Sequence, residues 1–230
     1  MIKIKKNAFT LPEVLITLAV VGALAALVIP GLIKDANSRA MTALLQSTIA
    51  NLNDAVANEL VRSRASNIKD TLIYSDPAEF LADNFDVEMT CDSSQGTLCF
   101  ASSYKNLNGD TISVTVNNPV LLKNGAAINI NENNYDGSNL SGQEVLIDLN
   151  GSKEPNIFGI DMFSVIIFLS TATKSTLWHM GDVGSYSGED EKTLKSYCKK
   201  ATDVGDTFNC YALLERSGFD PNYLDKEYNE

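Results

Sequence analysis

The sequence contains little histidine and little positive charge. Its 230 residues include one histidine, His179, and 18 Lys and Arg against 29 Asp and Glu, for a net charge of −11. Nucleic-acid binders need clustered Lys and Arg to replace the counterions around phosphates, so we expect no nucleic acid among the partners. A lone His beside Trp178 more often packs or lies at the surface than acts as a catalytic base. The sequence also has no phosphate-binding glycine loop, nucleophile elbow or metal-ligand cluster, which favours a protein that is not an enzyme.

Glycine and proline are absent from residues 32–76, so this stretch contains no strong helix breaker. Apolar residues recur there at three- and four-residue spacing from Met41 to Leu60, which is the pattern of one buried helical stripe. We predict a single helix over residues 9–64, on the order of 80 Å long. A coiled coil is the alternative, but the stripe covers too few heptads and lacks regular flanking charges. Packing against a sheet is the favoured interpretation.

Charged residues are absent from residues 14–33, and Glu13 stands just before them. About 20 such residues are enough for a helix to cross a membrane. A carboxylate beside them is costly in lipid unless it meets an amine or a helix N-terminus. A secretory signal peptide would have a shorter apolar core followed by its small-residue junction, whereas Asn7-Ala8-Phe9 precedes the core here. A plain signal anchor would explain the length but neither the basic leader nor the position of the acid.

The segment Ala8-Phe9-Thr10-Leu11-Pro12-Glu13 resembles the processing junction of type IV pilins and type II secretion pseudopilins, Gly-Phe-Thr-Leu-x-Glu. The resemblance implies cleavage by a prepilin peptidase between Ala8 and Phe9, followed by N-methylation of Phe9. It also implies that Glu13 pairs with the N-terminal amine of a neighbouring subunit during assembly. Ala8 departs from the usual Gly, which predicts slower processing. The implied partners are this peptidase, sister pilin or pseudopilin subunits, inner-membrane assembly machinery and membrane lipid.

The resemblance also implies a domain organisation. Residues 1–8 would be the leader, 9–33 the transmembrane and assembly half of the helix, and 34–230 the exported domain with the amphipathic half. Lys3, Lys5 and Lys6 favour a cytoplasmic N-terminus. We therefore expect a single-pass protein of the bacterial inner membrane, with its C-terminal domain extracytoplasmic and, after assembly, within a filament.

The secondary structure of the exported part follows from short local signals. Asp76 and Pro77 are the cap and first residue of a predicted short helix. Runs of β-branched and apolar residues predict strands at 111–116, 126–130, 144–149, 163–170 and 176–180. We expect 163–170, the most apolar of these, to be the central strand. Residues 131–142 are interpreted as a surface loop, 189–201 and 209–216 as helices, and 220–230 as an exposed polar tail.

Four cysteines lie in the part predicted to be exported, where an oxidising compartment permits disulfides. Three pairings are possible. We favour Cys91 with Cys99 and Cys198 with Cys210, since each pair bounds a loop in its own region, and each bridge would contribute about 3 kcal/mol. Zinc is the alternative, but C-x-x-C spacing is lacking and only His179 could supply an imidazole.

A calcium loop is one interpretation of residues 148–161. Asp148 and Asn150 begin like one, and Asp161 is a candidate third ligand, because oxygen ligands at alternate positions open such loops. Ser152 and Gly159 break the EF-hand pattern, so a turn-rich connection between strands is favoured. Calcium binding by major pseudopilins, which this chain resembles, keeps the idea open; no other cofactor is expected.

These observations together predict an α+β, pilin-like fold in which a long N-terminal helix packs on an antiparallel sheet with disulfide-stapled loops. The resemblance implies a structural subunit of a type IV pilus or type II secretion pseudopilus, and the loop-rich domain favours a minor one. A membrane-tethered binding protein that never polymerises is the alternative. An anchored enzyme using His179 is a third, less favoured hypothesis.

Overall fold

The computed structural model describes residues 10–66, 68–92, 96–133, 142–168 and 189–228. The chain divides into two compact units, Met1–Ala40 and Met41–Glu230. The first helix, α1 (Leu11–Ser63), begins in the first unit and ends in the second. The predicted long helix is therefore confirmed over the described part of its range.

The first unit consists, in its described part, of the apolar half of α1. Among the described residues, α1 is the one helix long and apolar enough to cross a membrane, and none of that stretch is buried. Leu11 and Leu27 are 77% and 80% exposed. Pro30 lies inside the helix.

Short helices follow α1 in the second unit. They are a 3₁₀ turn (Ile68–Asp70), α2 (Leu72–Ser75) and α3 (Pro77–Asn84). The predicted start of α3 is confirmed, because Asp76 Oδ1 accepts a hydrogen bond from the Glu79 N–H at 3.0 Å and Pro77 is the first helical residue.

The larger described sheet has five strands: β1 (Val87–Thr90), β4 (Val120–Leu122), β5 (Ala127–Asn133), β6 (Gly142–Asp148) and β7 (Met162–Phe168). They are antiparallel and lie in the order β1-β4-β5-β6-β7. Between β1 and β4 in sequence come a helical turn, α4 (Gly96–Cys99), and a two-stranded sheet of β2 (Tyr104–Lys105) and β3 (Thr111–Ile112).

One prediction about strands is wrong. The strand predicted at 111–116 stops at Ile112, because side chains bond the backbone that follows: Asn131 donates to the Thr115 carbonyl, and Asn129 accepts from the Asn117 N–H. The most apolar strand, β7, is the last in the order of the described strands. Residues 169–188, which follow it, lie outside the described residues, so its central position stays a prediction. Ser164, on the face of β7 opposite to the α1-facing core, meets Thr207 of the C-terminal region at 2.6 Å.

Other predictions fall partly or wholly outside the described residues. The strand predicted at 176–180 lies outside them, as does most of the surface loop predicted at 131–142. The predicted loop is too long at both described ends, because residues 131–133 belong to β5 and Gly142 begins β6.

The main core lies between α1 and one face of the sheet. The predicted helical stripe is confirmed, since Leu45, Leu52 and Val56 of α1 are fully buried together with Val145 and Ile147 of β6. A second core includes Leu146 of β6, whose neighbours in sequence point to the opposite face, together with Tyr104 and Phe158. This arrangement is the predicted α+β fold, a long helix packed on an antiparallel sheet.

Two C-terminal helices complete the second unit, α5 (Glu191–Lys200) and α6 (Val204–Arg216). Both were predicted, although α6 begins earlier because Asp203 caps it by accepting from the Asp206 N–H. The prediction of an exposed tail is wrong at Tyr223, which is 4% exposed and donates its hydroxyl hydrogen to the Gly159 carbonyl at 2.5 Å.

Candidate functional site

The N-terminus of α1 carries the glutamate half of a capping box, in which the Glu13 side chain bonds back to Thr10. Thr10 precedes the helix, and its carbonyl accepts the first intrahelical hydrogen bond, from the Val14 N–H. Glu13 reaches back, so that its Oε2 accepts from both the backbone N–H and the Oγ1 hydroxyl of Thr10, at 2.8 Å each. A carboxylate three residues into a helix satisfies an otherwise unpaired N–H and lies at the positive end of the helix dipole. Glu13 therefore already has a partner within its own chain.

Thr10 is a functional candidate that the sequence analysis missed. The signal was present, because Thr10-Leu11-Pro12-Glu13 fits the Ser/Thr-x-x-Glu pattern of a capping box followed by an apolar run. Pro12 adds to it, since proline in the first helical turn needs no hydrogen-bond partner for its nitrogen. Glu13 is thus a helix cap as well as the residue predicted for assembly.

The surface that follows Glu13 is apolar and uncovered. Large apolar side chains remain exposed along α1 as far as Ile33. The hydroxyl of Thr17, which interrupts this surface, donates to the Val14 carbonyl at 2.9 Å and so presents no unpaired donor. An exposed apolar surface of this length is suited to lipid or to other apolar helices.

The predicted processing residues Ala8 and Phe9 lie outside the described residues, and so does His179. Their roles stay predictions. The described residues begin at Thr10, immediately after Phe9.

Two disulfides are present, with the local pairings favoured from the sequence. Cys91 pairs with Cys99 and Cys198 with Cys210, at Cα–Cα distances of 6.3 and 4.8 Å. All four residues are fully buried. The first bridge holds α4 to the end of β1, and the second holds α5 to α6, so the cysteines cross-link elements of the second unit.

The calcium candidates Asp148 and Asp161 are buried, and the chain itself uses their oxygens. Asp148 accepts from the Tyr104 hydroxyl and from the Asn150 N–H, while Asp161 accepts from the N–H groups of Asn156 and Ile157. Burial raises the pKa of Asp148 to about 7 and also raises the pKa of Asp161. Among the described residues no group of three His, Cys, Asp or Glu could hold a metal.

The segment 148–161 therefore behaves as a hydrogen-bonded connection between β6 and β7, as the favoured interpretation proposed. Asn150 contributes through its backbone N–H to Asp148 and through its side-chain amide to the Glu154 carbonyl. A calcium ion held by Asp148, Asn150 and Asp161 stays an untested prediction.

Comparison with family models gives a match to the N-terminal segment described above. A family model described as a prokaryotic N-terminal methylation motif matches residues 3–29. No curated protein and no solved structure matches the chain. The matched residues contain the capping box of Thr10 and Glu13 and most of the exposed apolar stretch of α1. The chain therefore carries the prepilin-type cleavage and methylation signal of type IV pilins and pseudopilins, which supports a pilin-like or pseudopilin subunit.

Proposed function

We propose that this protein is a minor structural subunit of a type IV pilus or a type II secretion pseudopilus. The observation that carries the proposal is the continuity of the methylation motif, at residues 3–29, with a helix whose apolar side chains are uncovered. Residues 1–8 are the leader, 9–33 form the membrane and assembly segment, and 34–230 are exported. The assignment as a minor subunit is supported by the many short elements between β1 and β5.

The first step is processing of the precursor. A prepilin peptidase on the cytoplasmic side cleaves between Ala8 and Phe9, and Phe9 is then N-methylated. The apolar segment stays on the mature chain, because the cut precedes it. The new amine belongs to Phe9, which precedes Thr10 in the sequence, and the Thr10 N–H donates to Glu13.

The second step is assembly through α1. Lipid gives apolar helices little hydrophobic reason to associate, so side-chain packing and polar contacts set the register between subunits. Both described contacts of Glu13 use Oε2, which leaves Oε1 to accept from the N-terminal amine of a neighbouring subunit. The intramolecular cap holds the carboxylate in place for this contact.

The test compares Glu13→Ala, Glu13→Gln and Thr10→Val for entry into filaments sheared from cells. We expect Glu13→Ala and Glu13→Gln to remain in the membrane fraction, because neither offers a charged partner to the amine. Thr10→Val removes only the hydroxyl contact and keeps the backbone one, so it should retain most of the incorporation and serves as the matched control. Normal incorporation of Glu13→Ala would refute the assembly role.

Shearing also separates this function from the alternative, a tethered binding protein that never polymerises. A pilin-like subunit appears in the sheared filament fraction, whereas a tethered monomer stays with the membrane. Deletion of the prepilin peptidase would not discriminate between them, since the apolar segment would hold the uncleaved chain in the membrane in both cases.

A further inference from the structure

Gln143 is a buried amide without a partner. It lies on β6, on the face that also carries Val145 and Ile147, opposite Ile167 of β7. Its side chain is 1% exposed, and within the described part of the chain neither Nε2 nor Oε1 makes a hydrogen bond. A buried donor or acceptor left unpaired destabilises a fold, because it has lost its hydrogen bonds to water without replacing them. An unpaired amide at a buried position therefore suggests a bound ligand that forms hydrogen bonds with it.

Gln143 lines a pocket of about 280 Å³ that opens to solvent. Ile130 of β5 lies beside it, and the two walls are the junction of α2 and α3, residues 74–78, and the turn at Asn117 and Asn118. Both walls are held by hydrogen bonds, the first within its own helix and the second to a neighbouring strand. Asp76 caps α3, and the Asn117 N–H donates to Asn129 of β5 at 2.8 Å. The pocket is therefore built by fixed secondary structure.

The lining points to a neutral, hydroxyl-bearing ligand. Among the described residues, no Lys or Arg lines the pocket, which disfavours an anion. Asp76 is the one charged side chain of the described lining, and it already uses Oδ1 for the helix cap. The unpaired amide of Gln143 offers both donors and an acceptor, as hydroxyl groups do. Tyr74, Pro77 and Ile130 add apolar surface that suits the C–H face of a sugar ring.

We infer that this pocket, with Gln143 at its buried end, binds a single neutral sugar unit. Its volume is near the lower limit of about 300 Å³ for small-molecule pockets, so it holds one ring and not an extended chain. A peptide main chain is disfavoured, because it needs donors and acceptors repeated about every 3.3 Å along an open groove. The inference rests on the second unit alone and does not depend on filament assembly.

The test measures sugar binding by saturation-transfer NMR. The full chain is held in a detergent without a sugar headgroup and offered glucose, galactose, mannose, N-acetylglucosamine and N-acetylgalactosamine. N-acetylneuraminic acid probes for an acidic ligand, and N-acetylglycine N-methylamide probes for a peptide main chain. Gln143→Leu removes both unpaired atoms, and Gln46→Leu, on the exposed surface of α1, is the matched control.

We expect at least one neutral sugar to bind, its dissociation constant to rise at least tenfold in Gln143→Leu, and Gln46→Leu to bind like the natural chain. The melting temperature of Gln143→Leu should be unchanged or higher, since an unpaired buried amide is removed. If that variant does not fold, Ala78→Phe, which narrows the pocket, must abolish binding instead. Absence of sugar binding, equal binding by the pocket variant, or binding of only the acidic sugar or the amide would overturn the inference.

Discussion

The Oε1 atom of Glu59, on α1, accepts a hydrogen bond from the backbone N–H of Leu72, the first residue of α2, at 3.0 Å. Thr71, the N-cap residue of α2, makes no side-chain capping bond, so a carboxylate from another helix takes that role. Glu59 is 4% exposed, and its Oε2 also meets Arg62 at 2.6 Å. This single side chain therefore joins α1 to the short helices that follow it.

Replacing Glu59 with Ala should lower the free energy of unfolding by about 2–3 kcal/mol, because hydrogen bonds to a charged group contribute about 1.5–3 kcal/mol. Urea unfolding of the full chain in detergent, followed by circular dichroism, measures the change. Arg62→Ala is the control and should lower the free energy of unfolding much less, since the Arg62 side chain is 55% exposed and exposed ion pairs contribute little. Equal losses in the two variants would contradict the capping role of Glu59.

Replacing Ala8 with Gly should speed removal of the leader, because Gly is the usual residue at this junction in the family the segment resembles. Pulse labelling and intact-mass measurement of the membrane fraction would show a faster conversion to a chain that begins at N-methylated Phe9. A strain without the prepilin peptidase is the control and should keep the Met1 start. Identical conversion rates would show that Ala8 is not limiting, and an N-terminus beyond Ile33 would show that the segment is a secretory signal.

Asp148 should make the exported part less stable as the pH rises from about 4 to about 7. Burial raises its pKa to about 7 from 3.8, although bonds from Tyr104 and Asn150 oppose the change, and the charge of Asp161 adds to it. The folded state thus holds a proton that the unfolded chain releases near pH 4, so the stabilisation is complete below pH 4 and is lost as the pH approaches 7. The contribution is at most about 4 kcal/mol.

The measurement is the free energy of unfolding of the full chain in detergent between pH 4 and 8. Asp148→Asn should flatten the decline, whereas Asp86→Asn, at a side chain that is 94% exposed, should leave it unchanged. A slope will remain in Asp148→Asn, because burial also raises the pKa of Glu144 and of Asp161. An identical decline in the natural chain and Asp148→Asn would contradict the prediction.

Gly159 is held in the left-handed region, with φ +85°, against the second disulfide. A Cβ there would lie 3.0 Å from Tyr223 Oη and 3.2 and 3.3 Å from the sulfurs of Cys198 and Cys210. Gly159→Ala should therefore lower the free energy of unfolding by about 2–4 kcal/mol, through backbone strain and crowding together.

The matched control is Gly109→Ala, where φ is +93° but no atom lies within 4 Å of the added Cβ. That variant adds strain without crowding, so we expect a loss of about 1 kcal/mol. Thermal unfolding of the full chain compares the two. Equal losses of unfolding free energy in the two variants would show that the side chains around Gly159 accommodate the added methyl group without lowering stability.

Local sequence patterns determined the elements that depend only on neighbours along the chain. The uncharged stretch 14–33 and the apolar stripe after it predicted α1, because helical periodicity is a property of a few consecutive turns. Asp76 and Pro77 predicted the start of α3 in the same way. The closely spaced cysteines favoured the two disulfides that the structure contains.

Tertiary contacts decided what local patterns could not show. Residues 113–116 have strand-like composition, yet side-chain amides of β5 bond nearby backbone groups, such as the Thr115 carbonyl, and no ladder forms there. Tyr223 belongs to a polar tail but is buried, because its hydroxyl reaches Gly159, 64 residues away in sequence. Glu59 and Gln143 are buried polar residues whose roles depend on α2, α3 and β7. The sequence by itself thus determined the long helix, its processing signal and the Asp76 cap of α3. Long-range packing decided strand order, burial of polar groups and the pocket, since those contacts join residues that share no local pattern.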